Sequence, residues 1–388
     1  MGNSKLTFDE TTGEIFINPT PVSGDKHEIY YEFAAEGTVA DFAGSYYLTT
    51  NSEPDLSGTK VIRWKMFLEE NAAGDLFSLG VPLDNIRVRV TGGSLWVGIY
   101  DSATYDSSRH AVINSMTGRT FECMVVKNST TMDWVQIGGF AFGNTNSAQS
   151  GTDYTTSRIG ADGLPTTPTS ILNNAYVWDI RVDGEVAWAG NGSSANENSA
   201  WVDTVGSNDA TWVGSPSIFD LPTDPTPDFD DWYMPSTAEL DAMRTNLYDS
   251  AIGGFDAGAY WTSTETSSTQ AVAMLFSNGT TIPVNKSTSP GYRVRPARTF
   301  TAGVGAYSVG DSGPAGGWIF YVDGTTTYYE AAPDDNVATA RWSNITNASS
   351  TATGAAIGDG ITNTPLISGQ GGHIYSCAAL CEAYEVYL

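Results

Sequence analysis

The sequence predicts a mainly β chain: a sandwich or jelly roll of short strands, followed by a mixed α+β region. Three observations lead there. Apolar residues recur at alternate positions in short runs, as at Ile62, Trp64 and Met66. That period places alternate side chains on one face of a strand. Turn dipeptides separate many of the runs, among them Asp183-Gly184, Asn278-Gly279 and Asp323-Gly324, and such pairs favour tight hairpins. A clear helical period is found only beyond residue 235.

The elements follow in order. Residues 1–36 read as an arm, with Leu6, Phe8, Ile15 and Ile17 alternating around Thr12-Gly13 as a small hairpin. The arm either docks on a partner subunit or adds a strand to the chain's own sheet. Residues 37–221 hold many strands: Ile62 to Met66, Leu95 to Ile99, Phe121 to Val125, and Tyr176, Trp178, Ile180 and Val182 running into Asp183-Gly184. Residues 222–228 carry Pro222, Pro225 and Pro227 without an apolar pattern, which reads as an extended linker. In 229–388, Ser236 and Glu239 form a capping box, and Leu240, Met243 and Leu247 give the apolar face of the helix behind it. Strands then follow around Val272 to Phe276, Ile282 to Val284, Tyr292 to Val294, Trp318 to Val322 and Tyr328 to Ala332. Thr346 to Gly360 reads as a long loop, and Ile374, Cys377, Ala378, Cys381 and Tyr384 as one face of a last helix.

Composition narrows the function. A chain of 388 residues exceeds one ordinary core, so two or three domains are expected. Its 11 Trp, 19 Tyr and 15 Phe supply packed cores and argue against global disorder. With 44 acidic against 18 basic residues the net charge is −26. Such a chain repels nucleic acid and anionic bilayers, and keeps a protein dissolved at high local concentration. No apolar run is long enough to enter a membrane. Three cysteines make no disulfide framework and suit folding in a reducing cytosol. Met1 to Glu10 has no apolar core of a signal peptide, so synthesis in the cytoplasm without export is expected.

Two resemblances add to this reading. Asp41-Phe-Ala-Gly-Ser-Tyr-Tyr-Leu-Thr-Thr50 with Asp55-Leu-Ser-Gly58, and later Tyr176-Val-Trp-Asp-Ile-Arg-Val-Asp-Gly184 with Trp201 to Gly206, resemble a laminin-G/concanavalin-type jelly roll. The run Asp230-Asp-Trp-Tyr-Met-Pro-Ser236, Gly253-Gly254-Phe255, Tyr260-Trp-Thr-Ser263, Phe276-Ser-Asn-Gly279 and Arg293-Val-Arg-Pro-Ala-Arg298 is similar to a C-type-lectin-like domain family of phage tail proteins and bacterial surface lipoproteins. Gly310 to Gly317, Phe320-Tyr-Val322, Glu330-Ala-Ala-Pro333 and Trp342 belong to the same resemblance. In that family the glycine-rich half comes first; here it follows. A circular permutation closed in cis by residues 301–388 is expected, with completion in trans by a neighbouring subunit as its rival.

The resemblances imply a virion surface adhesin, a tail-fibre or tail-tip protein of a bacteriophage that binds a host surface glycan or receptor. Other virion proteins would hold its N-terminal arm, and a homo-oligomer is expected, with a trimer as the form considered. The alternative is a capsid decoration or head-fibre protein. A capsule-degrading enzyme is weakened by the lack of a carboxylate pair, since Glu239 and Asp241 lie in the first turn of a helix. No catalytic residue is assigned.

Sugar recognition needs aromatic faces and hydroxyl partners in loops. The candidates are Trp261, Thr264 and Glu265 in the segment Thr262 to Thr269, and Asn285, Lys286 and Tyr292 around Asn285 to Gly291. The competing reading makes Trp261 and Tyr292 core residues. Calcium, the one cofactor considered, would use the oxygen-rich loop Asn191 to Asp209, through Asp203, Asn208 and Asp209. Arg293, Arg295 and Arg298 either bind an acidic sugar or pair with local carboxylates, the second being preferred. Cys377 and Cys381 read as buried core rather than a zinc pair. His27, His110 and His373 lack metal-ligand spacing.

Overall fold

The computed structural model describes residues 5–9, 14–18, 38–41, 47–81, 84–91, 94–101, 104–110, 118, 120–127, 132–141, 157–161, 172–183, 185–189, 201, 203–206, 208–213, 217–220, 228–288, 292–335 and 337–386. The chain divides into two compact units, Met1–Ala34 and Ala35–Leu388. In the first, strands Lys5–Asp9 and Glu14–Asn18 pair antiparallel, with Leu6 opposite Ile17 and Phe8 opposite Ile15. That is the hairpin the alternation predicts; its turn and the proline linker of 222–228, apart from Asp228, lie outside the described residues.

The second unit is mainly β and begins with a sandwich of two antiparallel sheets. One sheet runs Met132–Ile137, Thr120–Lys127, the first half of Lys60–Val81, Asn173–Val182 and Val186–Trp188. The other runs Thr104–His110, Ser94–Asp101, Asp84–Thr91, the second half of Lys60–Val81, Arg158–Ile159, Tyr47–Thr50 and Ala210–Val213. The long strand therefore crosses from sheet to sheet. Its switch lies where Asn71 and Gly74 take positive φ, at 63° and 109°, a bend a regular strand cannot make.

Alternation fills the space between the sheets. Ile62, Trp64, Met66 and Val125 from one sheet meet Phe77, Leu79, Val88 and Val97 from the other, all buried. The Trp64 ring stands edge-on to Phe77 at 5.3 Å. One expected alternation breaks. Val177 and Ile180 both enter this core, whereas Tyr176 and Trp178 form a separate cluster with Phe67. The register slips between Trp178 and Arg181, and Asp179 takes φ 49°. The four aromatic and aliphatic residues predicted to share a face thus divide between two.

The remaining chain is α+β. Ser236 caps helix α1 (Thr237–Asn246) with the full reciprocal box to Glu239, as the spacing predicts. Strands Ala259–Ser267, Gln270–Leu275 and Thr280–Asn285 form a meander, and Trp318–Asp323, Thr327–Ala331 and Ala297–Thr301 a second sheet. Helix α2 (Asp359–Ser368), with a glycine at its cap and Pro365 inside, was not anticipated. Helix α3 (Cys377–Glu382) is shorter than the apolar face suggests, because Ser376 caps it. Within this region Phe229 bridges Val386 and Tyr233 bridges Ala297.

This α+β region packs on the outer face of the first sheet. Val61, Val126 and Trp134 from the sheet share a buried cluster with Trp261, Trp342, Tyr375 and Cys377. Trp134 and Tyr375 stack at 4.3 Å and 18°. Asp133 pairs with Arg341 at 3.5 Å, and Ala141 bridges Val337 in parallel. Among the described residues no helix is long and apolar enough to cross a membrane.

Candidate functional site

The packed region covers one end of the sheet's outer face and leaves the next stretch open. There a cleft of about 330 Å³ is lined by Arg63, Lys65, Glu122, Met124, Gln136, Asp179 and Arg181. Four neighbouring strands supply these side chains. The outward positions of the long strand run Val61, Arg63, Lys65: the first is covered, the next two face the cleft. Opposite them in register stand Val126, Met124 and Glu122.

Strand Asn173–Val182 reaches the cleft through its irregularity. With Val177 inside, strict alternation would send Asp179 and Arg181 inward as well. The slip at Asp179 turns Ile180 in and leaves Asp179 and Arg181 at the cleft. A non-glycine residue at positive φ costs on the order of 1–3 kcal/mol, and bulges of this kind re-aim side chains beside sites. Arg181 Nε donates to Asp179 Oδ1 at 2.7 Å, which holds the pair as a fork.

The charges alternate. Lys65 pairs with Glu122 at 3.1 Å and Arg63 with Asp183 at 2.9 Å. Gln136 accepts from Trp134 Nε1 and donates to the Gly138 carbonyl, so its amide is fixed. Arg181 is 59% exposed and Arg63 41%, whereas Arg295 and Arg298 are buried. Arg295 is bound to Asp335 at 2.6 Å, and Arg298 to Asp231 at 2.6 Å and Glu330 at 3.1 Å. Arg293 lies between Asp256 and Asp335. That arginine group is structural, whereas the more exposed Arg63 and Arg181 lie in the cleft. Sequence reasoning missed the cleft because its residues come from four separate strands, one of them bulged.

The loop candidates take other places. Thr262 to Ser267 is strand, not loop, and Trp261, Thr264, Glu265 and Lys286 are all buried. Trp261 Nε1 donates to the Ala340 carbonyl, and its ring stands against half-buried Tyr292 at 4.9 Å. Thr264 Oγ1 donates to the Gly354 carbonyl. Lys286 Nζ donates to Glu265 Oε1 at 2.7 Å and lies 4.8 Å from the Trp342 ring. Glu265 Oε2 accepts the Ser350 N–H and hydroxyl. Burial pushes the Glu265 carboxyl up, but the Lys286 and Ser350 donors outweigh it and hold the group below the usual carboxylate range. Thr264, Glu265 and Lys286 anchor the Thr346 to Gly360 segment, and Trp261 is tied to Ala340. Of the six, Asn285 alone is exposed, at a strand end.

The three calcium candidates are likewise held by neighbouring backbone groups. Asp203 Oδ1 accepts the N–H groups of Ala187 and Val205, and Oδ2 that of Asn208. Asn208 Oδ1 accepts from Ser52, and Asp209 Oδ1 from Asp203. Burial raises the Asp203 carboxyl, and the converging N–H donors bring it below its ordinary value. Dipoles aimed that way oppose a cation. Among the described residues no group of three or more His, Cys, Asp or Glu is arranged to hold a metal ion. Cys377 and Cys381 are free thiols in the core.

No protein-family model matches the sequence, and no curated protein matches it. Among solved structures, the chain is similar to domains LG4-5 of the mouse laminin alpha1 chain at 12% identity and a TM-score of 0.33, covering 56% of this chain and 55% of that one. It is similar to a heptameric SAP-like pentraxin from Limulus polyphemus at 12% identity and a TM-score of 0.31, over 48% and 95%. It is also similar to the receptor-binding domain of a botulinum neurotoxin C/D mosaic serotype at 12% identity and a TM-score of 0.23, over 77% and 66%.

Proposed function

We propose that the chain is a non-catalytic recognition protein of a virion surface, a bacteriophage tail-fibre or tail-tip adhesin that holds a host surface glycan in the cleft of its first sheet. The observation that carries this reading is the fixed alternation of cations, carboxylates and an amide at Arg63, Lys65, Glu122, Gln136, Asp179 and Arg181. Sugar hydroxyls both donate and accept, and such a lining meets both needs. The sheet is held by a core on one side and the α+β region on the other, so binding orders little.

The phage setting rests on the resemblance of Asp230 to Ser236 and its companion motifs to C-type-lectin-like domains of tail proteins. The permuted order is supported by the bridge between Phe229 and Val386, which brings the two ends of that region together. Met1–Ala34 as a separate unit suits an arm that attaches to other virion proteins, in a homo-oligomer. The same arm favours a second reading, a capsid decoration protein; the subunit that the arm docks on separates the two.

Binding without hydrolysis is supported by the cleft carboxylates. Glu122 is 80% exposed and paired with Lys65, whereas a glycosidase sets its two carboxyl groups on either side of the scissile bond. A glycan array probed with the full chain, in calcium and in chelator, tests the reading. Binding to one sugar class in both conditions is expected. Silence in both, from folded monodisperse protein, contradicts it.

A further inference from the structure

Arg63 and Arg181 are direct cross-strand partners. Like charges in that position repel, and each is answered by a carboxylate at the rim, Asp183 and Asp179. Asp183 is 54% exposed, so exchanging it for another anion costs little. The ion-paired arginines of the α+β region, by contrast, are at most 28% exposed. Two open guanidinium groups side by side, in a chain of net charge −26, form a fork for a planar anion.

A second cleft, of about 200 Å³, shares Glu122 with the first and is lined further by Gly138, Gly139, Phe140, Ala383 and Glu385. Phe140 is the exposed aromatic there, its ring edge-on to Tyr384 at 5.7 Å. Glu122 and Glu385 make this end negative, so an anionic group is driven toward the arginines and a neutral ring face toward Phe140.

Resting on the glycan reading above, we propose that the ligand is an acidic oligosaccharide, its carboxylate between Arg63 and Arg181 and a neighbouring sugar ring against Phe140. Calorimetric titration of the full chain tests it. The probes are hyaluronan, oligogalacturonate and α2,8-linked sialic acid tetrasaccharides, each beside its carboxyl-reduced form. At least one acidic probe should bind, and reduction should weaken it roughly ten- to hundredfold, the cost of losing hydrogen bonds to a charged group. Arg181→Ala and Arg63→Ala should each give a similar loss. Phe140→Ala should weaken the tetrasaccharide and spare the disaccharide. Equal binding of the reduced forms, or full acidic binding by both arginine variants, overturns the acidic assignment while glycan binding stands. Phe140→Ala without effect at any length overturns the second subsite. No binding by any of these probes overturns the acidic proposal; if the array is silent too, the glycan reading falls with it.

Discussion

Arg63 and Arg181 stand directly opposite each other on adjacent antiparallel strands, both facing the same cleft. The arrangement works against stability, because like charges in register repel. Replacing either arginine by alanine should therefore leave unfolding free energy within about 0.5 kcal/mol of wild type, while glycan binding falls. Urea unfolding and binding, measured on the same variants, check this. Parallel losses of both would make the arginines structural.

The Lys286–Glu265 pair lies at the opposite extreme, buried and ringed by Trp342 and Ser350. Removing one partner strands a charge, so Lys286→Met should cost about 3–5 kcal/mol. Glu265→Gln/Lys286→Met together should cost less than the sum.

The same pair sets a pH dependence. The folded Glu265 carboxyl lies below its ordinary value of 4.5. Its contribution is present in full above that value and is lost as pH falls through the folded one. Glu239 and Glu330 are raised, chiefly by burial, and act in the opposite sense. The difference in melting temperature between wild type and Glu265→Gln should therefore shrink between pH 6 and pH 3. A constant difference would contradict the assignment.

Gly139 lets the sandwich meet the end of the chain. An added Cβ would meet the Ala383 carbonyl and stand 2.6 Å from the Tyr384 Cα. Backbone cannot yield as a side chain can, so Gly139→Ala should destabilise by about 1–3 kcal/mol. Thermal melting checks it, and loss of the signal from the Trp134–Tyr375 stack in near-ultraviolet circular dichroism should accompany it.

Asp203 organises its loop with backbone N–H donors. Asp203→Asn should cost about 1–3 kcal/mol, and millimolar calcium should leave the melting temperature of wild type unchanged. A calcium-dependent rise abolished by Asp203→Asn would restore the cation reading.

Period two made much of the fold legible. Ile62, Trp64 and Met66, then Leu95, Val97 and Ile99, are buried on strands as their alternation requires. The turn Asn278-Gly279 joins two paired strands, and Asp323-Gly324 does the same. The capping box at Ser236 formed as written. What stayed hidden depends on distant partners. Glu239 reads only as a capping residue of its helix, yet it is buried and also accepts from Tyr233 and from the Gly358 and Gly360 backbone. Burial raises its carboxyl. Lys286 and Glu265 look like loop polarity until Ser350, far along the chain, meets them. The bulge at Asp179 carries no sequence signal, and it is what parts Tyr176 and Trp178 from Ile180 and Val182.

Hydrogen exchange of the full chain, with and without an array-selected glycan, tests the central claim most directly. The cleft account requires added protection in 60–67, 120–127 and 173–182, with little change in 262–269 and 285–288. Protection confined to those latter segments would contradict it and return recognition to the C-terminal loops.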